Sequence, residues 1–297
     1  MRRLIGLLPL AALLRAVPAA AHATGARDHH APPGWTLDPW IVVPLLLAAW
    51  LFARGWRRLH ARSAQGSGAL RRRGLLYAAG MGVLAAALVS PLHEAGERSF
   101  AAHMFEHELL MLVGAPLLVL AEPMAVMLWA FLPAGRRAIA SGVPMIAAPW
   151  RRLTGAVTAT ALQAAALWLW HAPVLFDRAL ASEGWHVAQH LSFLVTALLF
   201  WTAMLHRRTP AGMAALCLVA TAIVSGALGA LMAFATSPWY AGYASLGLAP
   251  FGLTPAEDQQ LAGLLMWVPG GLVHAGAALV LMRRLLVGAG TGAHHAG

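Results

Sequence analysis

The sequence predicts an all-α membrane bundle with about seven transmembrane helices, and three observations lead there. The 297 residues are 60% apolar and only 11% charged, with a mean hydropathy of +0.67, whereas a water-soluble domain carries about a quarter charged residues. Apolar runs close to the ~20 residues that a bilayer crossing needs recur along the chain. All 21 basic residues are arginines, and they gather in short clusters between alternate runs, as topology signals do. Clusters spaced in this way form no continuous basic face, so the expected partner is the lipid bilayer and not nucleic acid. Cys217 is the single cysteine, which excludes an intrachain disulfide and a paired-thiol metal site.

Residues 1–23 read as a signal peptide. Arg2 and Arg3 precede an apolar stretch over 4–14 that is too short to span, and small residues around Ala21 offer cleavage positions. Residues 24–38, rich in Ala, Pro, Gly and His, read as a disordered external segment. The membrane domain is expected over 39–286, with helices over 39–56, 74–92, 100–120, 153–171, 184–205, 211–234 and 259–282, and a disordered cytoplasmic tail over 287–297. The run 124–132, framed by Pro123 and Pro133, is too short to cross and reads as a bent continuation of the third helix or an interfacial piece.

Arginine placement sets the orientation, because short cytoplasmic loops retain positive charge. Arg54, Arg57, Arg58, Arg62 and Arg71 to Arg73 follow the first helix; Arg136, Arg137, Arg151 and Arg152 follow the third; Arg207 and Arg208 follow the fifth; Arg283 and Arg284 follow the seventh. Only Arg27, Arg98 and Arg178 fall on the other side. The mature N-terminus is therefore expected outside and the C-terminus inside. Glu94, Glu97, Asp177, Glu183, Glu257 and Asp258 occupy the outer loops and predict a mildly acidic surface hospitable to cations.

Histidine is the anomaly of the composition, with 14 residues against 11 carboxylates. The third helix opens with His103-Met104-Phe105-Glu106-His107, and the fifth with His186-Val187-Ala188-Gln189-His190. Residues four apart stack one turn above each other, so each pair sets two imidazoles on one face at a similar depth. His171 closes the fourth helix at the same end, and His93 precedes the third. This is the stoichiometry of a metal site. Imidazole suits copper, zinc and iron, while the thioether of Met104 favours copper(I). Glu106 is a further candidate, as a ligand or as the partner that fixes a histidine tautomer. His274, deep in the seventh helix after Pro269-Gly270-Gly271, reads as a hydrogen-bonded histidine at a kink.

The elements Ser90-Pro91-Leu92, His103-Met104-Phe105-Glu106-His107, Ala115-Pro116 through Glu122-Pro123, Trp168-Leu169-Trp170-His171-Ala172-Pro173, His186, His190 and Trp201 together resemble the CtaG-type family of bacterial multi-pass cytochrome c oxidase assembly proteins. The resemblance covers the second to seventh helices, and it departs from the family pattern at Glu106, where glutamine is common. It implies a role in maturing a haem-copper oxidase from the bacterial cytoplasmic membrane, with the site facing the periplasm or cell exterior. Metal candidates are His103, His107, His171, His186, His190, Met104 and Glu106. Copper(I) is the expected cargo, zinc or haem the alternatives, and the expected partners are an oxidase subunit and a copper donor. Passing an ion on by ligand exchange breaks no covalent bond, so no enzymatic activity is expected. Three other readings compete: an intramembrane zinc peptidase using His103-x-x-Glu106-His107, a bis-histidine haem protein, and a copper permease, for which His274 and Met266 are the deeper ligands.

Overall fold

A computed structural model describes residues 32–62, 67–206 and 208–293. The expected signal peptide, nearly all of the first compact unit (Met1–Pro33), Arg207 and the last four residues lie outside the described residues. Every described helix belongs to the second unit, Gly34–Gly297. Within the expected external segment, 32–38 has no regular secondary structure, yet it is tied down: the Gly34 amide donates to Glu94 and the Thr36 amide to the Val89 carbonyl.

The first helix, α1 (Pro39–His60), starts where the Asp38 carboxylate accepts from the Trp40 amide and Pro39 supplies a preset φ. Only Phe52 and Gly55 are buried in it. A Cβ on Gly55 would lie 2.0 Å from the Val126 carbonyl oxygen, so glycine is what permits the short helix α6 (Pro123–Met127) to rest on α1. The run beyond Pro123 is therefore a bent continuation packed on α1. Arg58 fastens it by donating to the carbonyls of Trp129, Ala130 and Phe131.

In α2 (Ser67–Leu88) the apolar stretch begins only after Arg71 to Arg73. The chain breaks at Ser90, whose hydroxyl accepts from the Leu92 amide to start the short helix α3 (Pro91–Gly96). The third span consists of α4 (Phe100–Glu108), a π turn (Leu109–Gly114) and α5 (Ala115–Ala121). In the π turn the Ala115 N–H bonds the Leu110 carbonyl, five residues back, and Pro116 follows. It has no N–H to return to Met111, and the indole of Trp201 supplies the missing donor, bonding the Met111 carbonyl at 2.8 Å.

Residues 133–152 were expected as a loop carrying four arginines; with Leu153 they form a 21-residue helix, α7 (Pro133–Leu153), with no buried residue. It meets α8 (Ala156–Trp170) at a 71° bend. Next come α9 (Pro173–Ala181), α10 (Glu183–Leu205), α11 (Ala211–Ala233), α12 (Ala241–Ala244) and α13 (Pro255–Ala293). Helix α13 runs through Pro269 without a break in assignment and includes 287–293 of the expected tail, where no further proline stops the hydrogen-bond ladder. It packs most extensively on α11. A Cβ on Gly263 would lie 2.5 Å from both the Gly229 oxygen and the Ala233 nitrogen, so small residues bring the two backbones into contact.

The protein is a helical membrane bundle. Among the described residues, five segments are long and apolar enough to cross: Pro39–His60, Phe100–Ala121, Glu183–Leu205, Ala211–Ala233 and Pro255–Val287; the bent α7–α8 pair makes up to six. The expected count of seven also needed α2, whose first turns hold three arginines, and α8 alone, whose 15 residues span only ~22 Å of a ~30 Å hydrocarbon layer. The N-termini of α4, α10 and α13 and the C-terminus of α8 gather at one end, away from most of the arginines.

Candidate metal centre

The start of α4 is held from both sides. Ser99 caps it, accepting from the Ala102 amide, and the Asp258 carboxylate from α13 accepts from the Ser99 hydroxyl at 2.8 Å and the Phe100 amide at 2.6 Å. A carboxylate at a helix N-terminus is favoured by the helix dipole as well as by the orphan amides. Here it also locks α4 to α13. The glycine at 96 brings α3 alongside, since a Cβ there would crowd the His103 Cα at 3.3 Å and the Glu106 Oε2 at 3.4 Å.

From this platform His103 and His107 project on one face of α4 and meet His190 from α10. One ligand atom from each lies within 4.8 Å of the others, and all three residues are buried. A second group, His93, Glu106 and His190, satisfies the same limit and shares His190. Two of the rings reveal their tautomers through their hydrogen bonds. The Tyr243 hydroxyl donates to the Gly96 carbonyl at 2.6 Å, which leaves it to accept from His103 Nδ1 at 3.0 Å. His190 Nδ1 donates to the His186 carbonyl at 3.1 Å. In the neutral form of both rings Nε2 therefore carries a lone pair, and both atoms are buried without a hydrogen-bond partner. Neither ring nitrogen of His107 has one, nor does His186 Nε2.

Glu106 stands among these rings, 1% exposed. His93 Nδ1 donates to its Oε1 at 2.8 Å. On the other side, His190 Nε2 lies 3.2 Å from the same oxygen. With Nδ1 already donating, that contact sets two acceptors against each other in a neutral ring and is an ion pair in a protonated one. His93 lies on α3, outside the spans. Its burial opposes protonation, but the hydrogen bond and charge of Glu106, with smaller help from Glu97 and Asp38, hold its pKa above the usual histidine value.

Of the residues singled out from the sequence, His103, His107, His190 and Glu106 come together, with His186 beside them, its ring centroid 4.4 Å from that of His190 and 5.4 Å from that of His93. His93 and His186 are the partly exposed members and form the mouth. His171 and Met104 make a separate pair. His171 Nδ1 donates to the Leu167 carbonyl at 2.7 Å and its Nε2 faces the Met104 sulfur at 3.3 Å, while its ring neighbours are Phe176 and Phe193. His274 lies elsewhere, bonded to the Gly270 carbonyl and stacked on Trp201.

Sequence reasoning missed Tyr243, Gly96 and Asp258 as supports of the centre. Tyr243 comes from the 234–254 connection, which gives no periodic signal, and Asp258 was expected to contribute to an acidic outer surface. Asp258 alone departs from that expectation, being 3% exposed; Glu94 accepts from Gly34 and Arg98, Asp177 accepts from the Ala241 and Gly242 amides, and Glu257 caps Thr254.

No curated protein and no solved structure matches the chain. One family model does match, over residues 50–287, and its description is cytochrome c oxidase caa3 assembly factor. That match takes in α2 to α12, the second half of α1 and most of α13, and so every residue of the histidine centre, which places this chain in the caa3-type cytochrome c oxidase assembly factor family.

Proposed function

We infer that the protein carries copper(I) as cargo at the centre formed by His103, His107 and His190, and supports metallation of a haem-copper oxidase from the bacterial cytoplasmic membrane, with the centre facing the periplasm or cell exterior. The observation that carries this reading is the convergence of imidazole nitrogens from α4 and α10 within 4.8 Å, several of them buried lone pairs without a donor. Ligands without a thiolate, with one thioether close by, fit copper(I). His103 and His107 would hold the ion from one helix and His190 from the other. Tyr243 and the His186 carbonyl would keep two of the rings in the metal-binding tautomer, and Glu106 would supply the negative charge that offsets the cation. His186 and His93, at the mouth, are where a donor's ligands would deliver the ion and an oxidase subunit's ligands would remove it. Exchange of ligands moves the ion without breaking a covalent bond, so no catalytic residue is assigned.

The test is metal analysis of purified full-length protein, wild type against His103→Ala/His107→Ala, together with oxidase activity in cells carrying each. Wild type is expected to retain about one copper per chain and the variant little, with parallel loss of oxidase copper. Equal trace copper in both, with oxidase fully assembled, would overturn the reading. Stoichiometric zinc with peptide cleavage abolished by Glu106→Gln, or a sharp haem absorption band, would replace it.

A further inference from the structure

Helix α7 has a composition and a setting that the metal centre does not use. None of its 21 residues is buried, although most helical stability in proteins comes from packing of an apolar face. Pro144 and Pro149 lie inside it, and each removes an intrahelical hydrogen bond. Something outside the bundle must therefore stabilise it.

At 100° per residue, Leu153, Ile146, Ile139, Trp150 and Val143 fall within an arc of about 80°. All five are exposed, between 41% and 62%. Arg137, Arg151, Arg152 and Ser141 lie on the other side, and Arg136 borders the arc. No carboxylate occurs between Glu122 and Asp177, so these arginines have no acidic partner nearby in sequence. The uncharged stretch 138–150, about 13 residues, is too short to span and has the length of an interfacial segment. The 71° bend against α8 turns α7 away from the direction of that helix.

The start of α7 is anchored. The Arg136 guanidinium sits 4.0 Å from the Trp129 ring centroid, and Arg62 approaches the same ring at 5.6 Å. Beside it opens a groove of about 390 Å³ between α1 and α7, lined by Trp50, Arg54, Phe131 and Gly135 among others. An apolar groove with a guanidinium in its wall matches an acyl chain joined to a phosphate.

We propose that α7 is an in-plane amphipathic helix bound to an anionic phospholipid surface at the arginine-rich end of the bundle, its apolar arc in the acyl region and its arginines on headgroup phosphates. Arginine forks pair with phosphate bidentately, and basic amphipathic helices bind anionic interfaces through buried apolar area plus charge. This proposal is independent of the copper reading.

The test uses the full chain in lipid nanodiscs, with Cys217→Ala and single cysteines at Ile139, Ile146, Ser141 or Ala148 carrying a nitroxide. In discs of mixed phosphatidylglycerol and phosphatidylcholine, labels at 139 and 146 should be relaxed by oxygen and shielded from an aqueous nickel chelate, and labels at 141 and 148 should show the reverse. Pure phosphatidylcholine, or Arg136→Gln/Arg137→Gln/Arg151→Gln/Arg152→Gln, should raise nickel access at 146 at least about threefold. The lipid comparison keeps the arginines, so it remains decisive even if the fourfold variant fails to fold. Equal nickel access at all four sites would overturn the proposal. So would shielding of 139 and 146 from both probes, which marks contact with another protein, or indifference to lipid charge.

Discussion

The Tyr243 hydroxyl lies 3.0 Å from His103 Nδ1 while donating to the Gly96 carbonyl, so one phenol fixes the tautomer of a candidate ligand and ties the α12 segment to α3. Tyr243→Phe removes the acceptor and little volume. Copper affinity, read by competition with a chromophoric chelator, is expected to fall about tenfold, the size seen when the hydrogen-bond partner of a ligating histidine is lost. His103→Ala should abolish binding at the centre, and unchanged affinity in Tyr243→Phe would show that the hydroxyl does not direct the ring.

Asp258 should matter to both stability and metal. Its carboxylate is the shared acceptor for Ser99 and Phe100. Asp258→Ala is expected to cost about 2 kcal/mol through lost capping and stranded donors, visible as a lower thermal midpoint in detergent and as weaker copper retention. Asp258→Asn, which keeps one acceptor oxygen, should lose about half of that.

Trp201→Phe tests the π turn. Without the indole N–H the buried Met111 carbonyl has no replacement from Pro116, and the expected loss is roughly 1–3 kcal/mol. Thermal unfolding should register it with the copper content per folded molecule unchanged, because the ligands of the centre do not contact Trp201.

Two glycine substitutions on α13 should diverge. Gly263→Ala places a methyl 2.5 Å from the backbone of α11 and is expected to destabilise by about 1–3 kcal/mol. Gly276→Ala meets open space and should be neutral or stabilising by up to about 1 kcal/mol. Comparable midpoints for both would mean that α11 and α13 are not in backbone contact.

The long elements were legible because their signal is composition over a window: α10 and α11 fall within a residue of the expected 184–205 and 211–234. Helix α7 was not, since paired arginines and two internal prolines read as a loop; its amphipathic arc becomes visible only when a helix is assumed. At the centre, depth was legible and azimuth was not. The H-x-x-x-H spacing places imidazoles one turn apart at the start of α4 and α10, but how far α8 is rotated about its own axis cannot be read from its sequence. The structure sets His171 against Met104, outside both donor groups. Tyr243 and Gly96 were invisible for a related reason, because they act through a connection whose return path leaves no periodic trace.

His190 belongs to both donor groups, one with His103 and His107, the other with Glu106 and His93. An ion travelling between them need never be bare: it can pivot on that imidazole, releasing deep neighbours as it acquires shallow ones. Such a hinge would let a tightly gripped atom reach the rim hand over hand, and loss of the residue at position 190 would then weaken storage and delivery together.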